Sequence, residues 1–133
     1  MNASQPLVIV EADLACEDHQ NDTIQLLNAY AMDPMGDGKP LSETALRDLI
    51  PGLRQHPTTI VFLAYLEIAP VGLAICFRGF STFAARPLIN ISDYYVIPSY
   101  RGMGIGRSLM QKIEQRARDL GCCKLTLEVQ ENN

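Results

Sequence analysis

One short stretch constrains this chain more than the rest: a glycine-rich turn set between two apolar segments of different periodicity. Leu88 to Ile97 is an apolar and aromatic run that reads as a strand, and Pro98 stops it. Arg101-Gly102-Met103-Gly104-Ile105-Gly106 follows. From Gly104 to Leu120, Ile105, Leu109, Met110, Ile113 and Ala117 recur at helical spacing, and Gly121 supplies the stop. Lys124 to Gln130 then alternates Leu125, Leu127 and Val129 with Thr126, Glu128 and Gln130, the pattern of a half-buried strand. Strand, crossover helix and strand in one sheet make a right-handed parallel pair. The chain is therefore a mixed α/β protein, and the glycine turn sits at the carboxyl end of a strand and the amino end of a helix.

The preceding residues add two helices and three strands. Leu7 to Ala12 reads as a strand. Asn21 or Asp22 is a cap for a helix to about Ala31, with Ile24, Leu27 and Ala31 on one face, stopped at Asp33-Pro34. Met35 to Pro40 is a loop, and Ser42 caps a second helix carrying Leu46, Leu49, Ile50 and Leu53 as its stripe. Thr59 to Tyr65 and Val71 to Phe77 read as a hairpin turning near Ala69-Pro70, with Gly79 to Pro87 as a longer connector. The expected order is β-α-α-β-β-β-α-β in a single domain over residues 1–133.

The turn has the chemistry of an anion site. Glycines let the backbone approach a bulky anion closely, and the unpaired N–H groups of the helix start point into the same loop. Arg107 and Ser108 add a cation and a hydroxyl. Two common glycine motifs fail on spacing. The dinucleotide fingerprint needs a third glycine where Arg107 stands. The nucleotide phosphate loop needs glycine at Arg101 and lysine at Arg107.

The run from Tyr95 to Leu109, with Arg101, Gly104 and Gly106 as R-x-x-G-x-G after a strand ending Val-x-Pro, resembles the diagnostic segment of GNAT N-acetyltransferases. Leu120 to Val129 and Pro70 to Ala74 are also similar to that family. The resemblance implies a mixed central sheet whose parallel fourth and fifth strands splay apart, with acetyl-CoA as cosubstrate and no metal. It implies that the backbone of Arg101, Gly102, Met103, Gly104, Ile105 and Gly106, with Arg107 and Ser108, holds the pyrophosphate. Val96 and Ile97 would pair with the pantetheine arm, and Asn133, or Asn132 next, would contact it after the fifth strand. Members of this family usually continue with a further helix carrying a tyrosine acid and two more strands, so a C-terminal truncation is expected here. With it comes self-association as a two-fold homodimer near the fifth strand.

Acetyl transfer requires an amine stripped of its proton, and an alkyl amine is almost wholly protonated at neutral pH. Asp93, an acid in the middle of an apolar strand, is the first candidate base, and Glu128 on the neighbouring strand the second. Tyr94 or Tyr95 could donate a proton or line the pocket. Asp33 to Gly38, and Phe80 to Phe83 with Arg86, are expected to shape the acceptor pocket. The acceptor is a small-molecule or protein amine; a non-catalytic acyl-CoA-binding module is the alternative.

Composition narrows the partners. A net charge of −4 disfavours nucleic acid. Cys16, Cys76, Cys122 and Cys123 form no C-x-x-C pair and keep no metal-ligand spacing with His19 or His56, so reduced thiols in a cytoplasmic protein are expected. No run has the length of a membrane span, and Met1 to Pro6 does not read as a signal peptide.

Overall fold

The computed structural model describes residues 6–128. In chain order the elements are β1 (Leu7–Glu11), α1 (Glu17–Met32), α2 (Glu43–Gln55), β2 (Thr59–Leu66), β3 (Ala69–Ser81), β4 (Arg86–Val96), a 3-10 turn (Pro98–Tyr100), α3 (Ile105–Asp119) and β5 (Leu125–Leu127). The strands form one sheet in the order β1-β2-β3-β4-β5. β1 to β4 pair antiparallel, and β4 and β5 pair in parallel, as the strand-helix-strand pattern requires.

Each sheet face is covered by a different helical layer. Ile105, Leu109 and Ile113 of α3 are 2%, 0% and 0% exposed and pack on Phe62, Val71, Ala74, Ile89 and Ile91. Full burial of each such side chain contributes about 1.5–3 kcal/mol. On the opposite face Leu26 of α1 and Ile50 and Leu53 of α2 pack on Val61, Leu63, Leu73 and Ile75. Gly72 in β3 sets how closely α3 approaches. A methyl group there would lie 3.1 Å from Leu109 Cδ1 and 3.2 Å from Ile105 Cγ2. The start of α3 is thus seated directly on the sheet.

The helix at Ser42 forms as expected, its hydroxyl accepting from the Ala45 N–H at 3.0 Å. Three expectations need correction. α1 begins at Glu17, not at Asn21 or Asp22. Asp13 organises the turn before it, its carboxylate accepting from Ala15 N–H at 2.9 Å, and Glu17 and Asp18 sit in the first turn, where the helix dipole favours acids. Asp22 instead faces the sheet and accepts from the Tyr65 hydroxyl at 2.5 Å. The β2–β3 turn falls at Glu67 and Ile68, with Glu67 at φ 55, while Ala69 and Pro70 already lie in β3 opposite Leu66 and Tyr65. A register shift at Ala64/Tyr65 accommodates the change. Most of the expected connector from Gly79 to Pro87 is strand. β3 and β4 pair out to Ser81↔Arg86, so cross-strand pairing overrides the local breaking tendency of Gly79 and Pro87.

β4 carries a second irregularity that matters for the site. Its register against β3 shifts between Ile75 and Cys76, whose partners are Asp93 and Ile91, leaving Ser92 as the extra residue of a bulge. Before it, Ile89 and Ile91 face α3; beyond it, Tyr94 and Val96 do. Asp93 pairs with Ile75 and Tyr95 with Leu73, both on the α1/α2 face. Among the described residues no helix is long and apolar enough to cross a membrane.

Candidate active site

The anion loop takes its shape from two left-handed residues. Gly102 and Gly104 have φ of 82° and 84°, a region that side-chain-bearing residues enter only with strain. Nothing lies within 4 Å of a Cβ built on either, so their open sides face free space. The first intrahelical bond of α3 runs from Ser108 N–H to Gly104 C=O at 3.0 Å. The N–H groups of Ile105, Gly106 and Arg107 therefore precede the helical bonding pattern, no side chain caps them, and the first turn carries no acid. A diphosphate fits this cradle: donors without acceptors, a positive helix end and room for close backbone approach.

The loop opens on a cleft of about 410 Å³. Tyr30 and Met35 wall it on the α1 side, Tyr94, Tyr95 and Val96 on the β4 side, and residues between Tyr100 and Gly106 close it. Among the described residues, parallel pairing of β4 with β5 covers Ile89 to Ile91, with a further bond from Glu128 N–H to Ile91 C=O at 3.0 Å. β4 runs five residues further, to Val96. Ile97 N–H donates to Val71 C=O at 2.9 Å, and Val96 lies opposite Gly72. By the alternation of an antiparallel ladder, the backbone groups of Tyr94 and Val96 then turn away from β3, toward the β5 side of the strand. This is the edge that an extended arm of amides would extend as an added strand.

Arg101 and Tyr94 lock the loop to β4. Arg101 Nε donates to Val96 C=O at 2.9 Å, its Nη2 lies 3.5 Å from Asp33 Oδ2, and its guanidinium stacks 5.5 Å from the Tyr95 ring centroid. The Asp33 side chain is only 9% exposed, so this pair joins the end of α1 to the loop in a sheltered setting. Tyr95 in turn packs on Tyr30, ring centroids 5.2 Å apart. The Tyr94 hydroxyl donates to Gly106 C=O in the first turn of α3. Burial raises its pKa, partly opposed by the Met110 backbone N–H.

Asp93 stands one residue before this pair but on the other face of the sheet. Burial, and after it the charge of Glu128, push the Asp93 carboxyl up to about 6. That is close to the value suited to a general base working near neutral pH. Asp93 also helps keep the buried Cys76 thiol protonated, at about 12, although burial is the larger cause. Glu128 Oε2 accepts from Asn90 Nδ2 at 2.5 Å and from Ser92 Oγ at 3.3 Å.

Of the residues singled out in the sequence, the cleft gathers Met35, Tyr94, Tyr95, Val96, Arg101, Gly102, Gly104, Ile105 and Gly106. Asp93 and Glu128 lie together at the neighbouring polar patch. The structure leaves others outside the cleft. Met103 is 58% exposed, and Ile105 turns its side chain into the core, leaving only its backbone for a ligand. Arg107 is exposed on the helix surface, Ser108 is partly buried behind it, and Ile97 packs toward α1 and α2. Asn133 lies outside the described residues. Phe80, Phe83 and Arg86 are at the tip of the β3–β4 hairpin, which the strand rise places about 30 Å from Val96, so they shape no part of this cleft. Tyr30 and Tyr100 are additional. Tyr30 could have been noticed as an aromatic at the end of α1 next to the loop already singled out; nothing in the pattern marks Tyr100.

The model of the acetyltransferase (GNAT) family matches residues 22–133. The thialysine N-epsilon-acetyltransferase of Bos taurus is 34% identical over 103 residues, which cover 71% of this chain and 59% of that protein. The chain thus spans less than two thirds of that relative. Two solved structures share the fold. A ribosomal-protein-alanine N-acetyltransferase from Brucella melitensis aligns over 95% of this chain and 82% of its own, at 19% identity and a TM-score of 0.75. An aminoglycoside acetyltransferase from a soil metagenomic sample, in complex with sisomicin, aligns over 95% and 79%, at 21% identity and a TM-score of 0.76. With the glycine cradle, the parallel β4–β5 pair and the match over residues 22–133 in agreement, this chain belongs to the GNAT acetyltransferase family.

Proposed function

We propose that this protein transfers an acetyl group from acetyl-CoA to a primary amine by direct attack. The observation that carries the reading is the pairing, at one end of β4, of a donor-rich anion cradle with a half-buried carboxylate raised to about 6. Acetyl-CoA supplies the thioester. The backbone N–H groups of residues 101–106 and the start of α3 hold its diphosphate, and the outward-turned backbone groups of Tyr94 and the Val96 N–H align its arm. Asp93 takes the proton from the amine on the α1/α2 face, with Glu128 as the second carboxylate there. Tyr94, on the α3 face, is placed to return a proton to the departing sulfur once its bond to Gly106 C=O loosens. The two proton-handling groups thus stand on opposite sides of the strand.

The acceptor is a small-molecule or protein amine, and the bovine relative's name makes thialysine the first to try. The four cysteines are free, which fits a reducing compartment such as the cytoplasm. The test is release of free thiol from acetyl-CoA across a panel of primary amines. Amine-dependent release that is lost in Asp93→Asn supports the reading. Tight acetyl-CoA binding with no amine-dependent release from any acceptor would overturn it.

A further inference from the structure

Glu128 is exposed, yet neutral donors hold it. Asn90 sits on β4 opposite Phe77, on the α1/α2 face, with Thr126 beside it in β5. Its Oδ1 accepts from the Thr126 hydroxyl at 2.6 Å, which turns its amide N–H groups toward Glu128 Oε2, 2.5 Å away. Ser92 Oγ adds a donor to the same oxygen at 3.3 Å. The network bridges the described rungs of the β4–β5 ladder at Asn90↔Thr126 and beyond Ile91↔Leu127. The described ion pairs are Arg47–Asp48, Arg101–Asp33 and Arg116–Glu11, so no described cation neutralises Glu128 or Asp93. Asp93 lies near enough to feel the charge of Glu128, and two carboxylates at that range with no described cation leave a negative potential that a ligand can complete. Hydrogen bonds from neutral groups orient a carboxylate and keep its charge.

We infer that Asn90 is a positioning residue for the acceptor: it fixes the Glu128 carboxylate beside Asp93, where Glu128 receives the positive charge of the incoming ammonium. The inference rests on the acetyltransferase reading and divides the work between the two acids. Glu128 draws in the protonated amine, and Asp93 takes its proton. It also defines the acceptor class. Two uncompensated carboxylates repel a nitrogen that carries its own carboxylate nearby, so the site favours side-chain or chain-end amines over the α-amine of a free amino acid.

The test is a double-mutant cycle on initial rates with one good amine acceptor. Asn90→Ala and Glu128→Gln are each expected to raise KM for the amine about tenfold, with kcat and KM for acetyl-CoA changed less than about threefold. The double variant is expected to match Glu128→Gln alone, because Asn90 acts only through that carboxylate. Thr126→Val, which removes the hydroxyl orienting the Asn90 amide at nearly constant volume, is expected to shift the same constant by about threefold. It replaces Asn90→Ala in the cycle if that variant folds poorly. Multiplicative effects in the double variant overturn the inference, as does an equal rise in KM for acetyl-CoA. Those results would leave the acetyltransferase reading standing, whereas failure of the unaltered protein to acetylate any amine overturns both.

Discussion

Replacing Asp93 by Asn should make the protein more stable and less active. The carboxyl rises from 3.8 to about 6, with burial the larger cause and the charge of Glu128 the smaller. A shift of about two units corresponds to about 3 kcal/mol of penalty on the ionised form. Solvent still reaches this half-buried group, so about 1–2 kcal/mol is the expected effect. The folded state binds the Asp93 proton more tightly than the unfolded chain does. The contribution to stability is therefore full below 3.8 and is lost as pH rises toward about 6. Asparagine, which never ionises, keeps it. Urea unfolding at a series of pH values should give Asp93→Asn an advantage that opens between pH 4 and about 6 and stays level above that. Turnover at pH 7.5 should fall by about 10²–10⁴ with little change in acetyl-CoA affinity, as expected for loss of a positioned base. A pH-independent gap, or a variant less stable than the parent at pH 8, would refute the claim that burial strains the ionised form.

Other perturbations separate the parts of the site. In the parent protein, kcat over KM for the amine should rise with pH and level off above about 6, read from initial rates in mixed buffers; a rate flat through that range would place the base elsewhere. Gly104→Val adds a β-branched side chain at φ 84, on the open side of the cradle. Calorimetry should show acetyl-CoA affinity reduced by at least about tenfold, and unchanged affinity in a folded variant would remove the phosphate assignment. Gly72→Ala pushes a methyl against Leu109 and Ile105 and should cost about 1–3 kcal/mol in unfolding free energy, with weaker cofactor binding as α3 shifts. Tyr94→Phe removes the hydroxyl bonded to Gly106 C=O, and single-turnover kinetics should show a slower transfer step at near-normal acetyl-CoA affinity.

The carboxyl half of the protein was legible because its signals are local and agree. The helical spacing of Ile105, Leu109 and Ile113, the flanking glycines and the alternation in Leu125–Leu127 all require strand, helix and parallel strand. The backbone turn before α3 was equally legible, since glycine at 102 and 104 answers to backbone angles that few other residues accept. What stayed hidden depends on partners distant in sequence. Gly79 and Pro87 look like breakers until the β3–β4 pairing overrides them. Arg101 is marked by its place before the glycines, but nothing local shows that its guanidinium bonds the Val96 carbonyl and Asp33. Asn90 gives no signal in the sequence, because its role comes from Thr126 and Glu128, 36 and 38 residues away.

The extra residue in β4 has a consequence for how such a site can change. A regular strand has strict two-residue parity, so Asp93 and Tyr95 would share the side of Ile89 and Ile91, beneath α3. The register shift at Asp93/Ile91 reverses the phase once, after the hydrophobic half of the strand and before the reactive half. Everything from Asp93 onward is thereby inverted as a block. Deleting Ser92 would return the strand to regular alternation with Ile91 and Tyr94 still under α3 and Asp93 still on the α1/α2 face, and would remove only the bulge and the Ser92 donor to Glu128. If Ser92 were instead drawn into the ladder as a regular residue, Asp93 would turn under α3 and Tyr94 toward the opposite face, so which side each residue occupies depends on the bulge holding its extra residue out of the pairing. The conformation of this one residue, more than its side chain, sets which face of the sheet Asp93 presents.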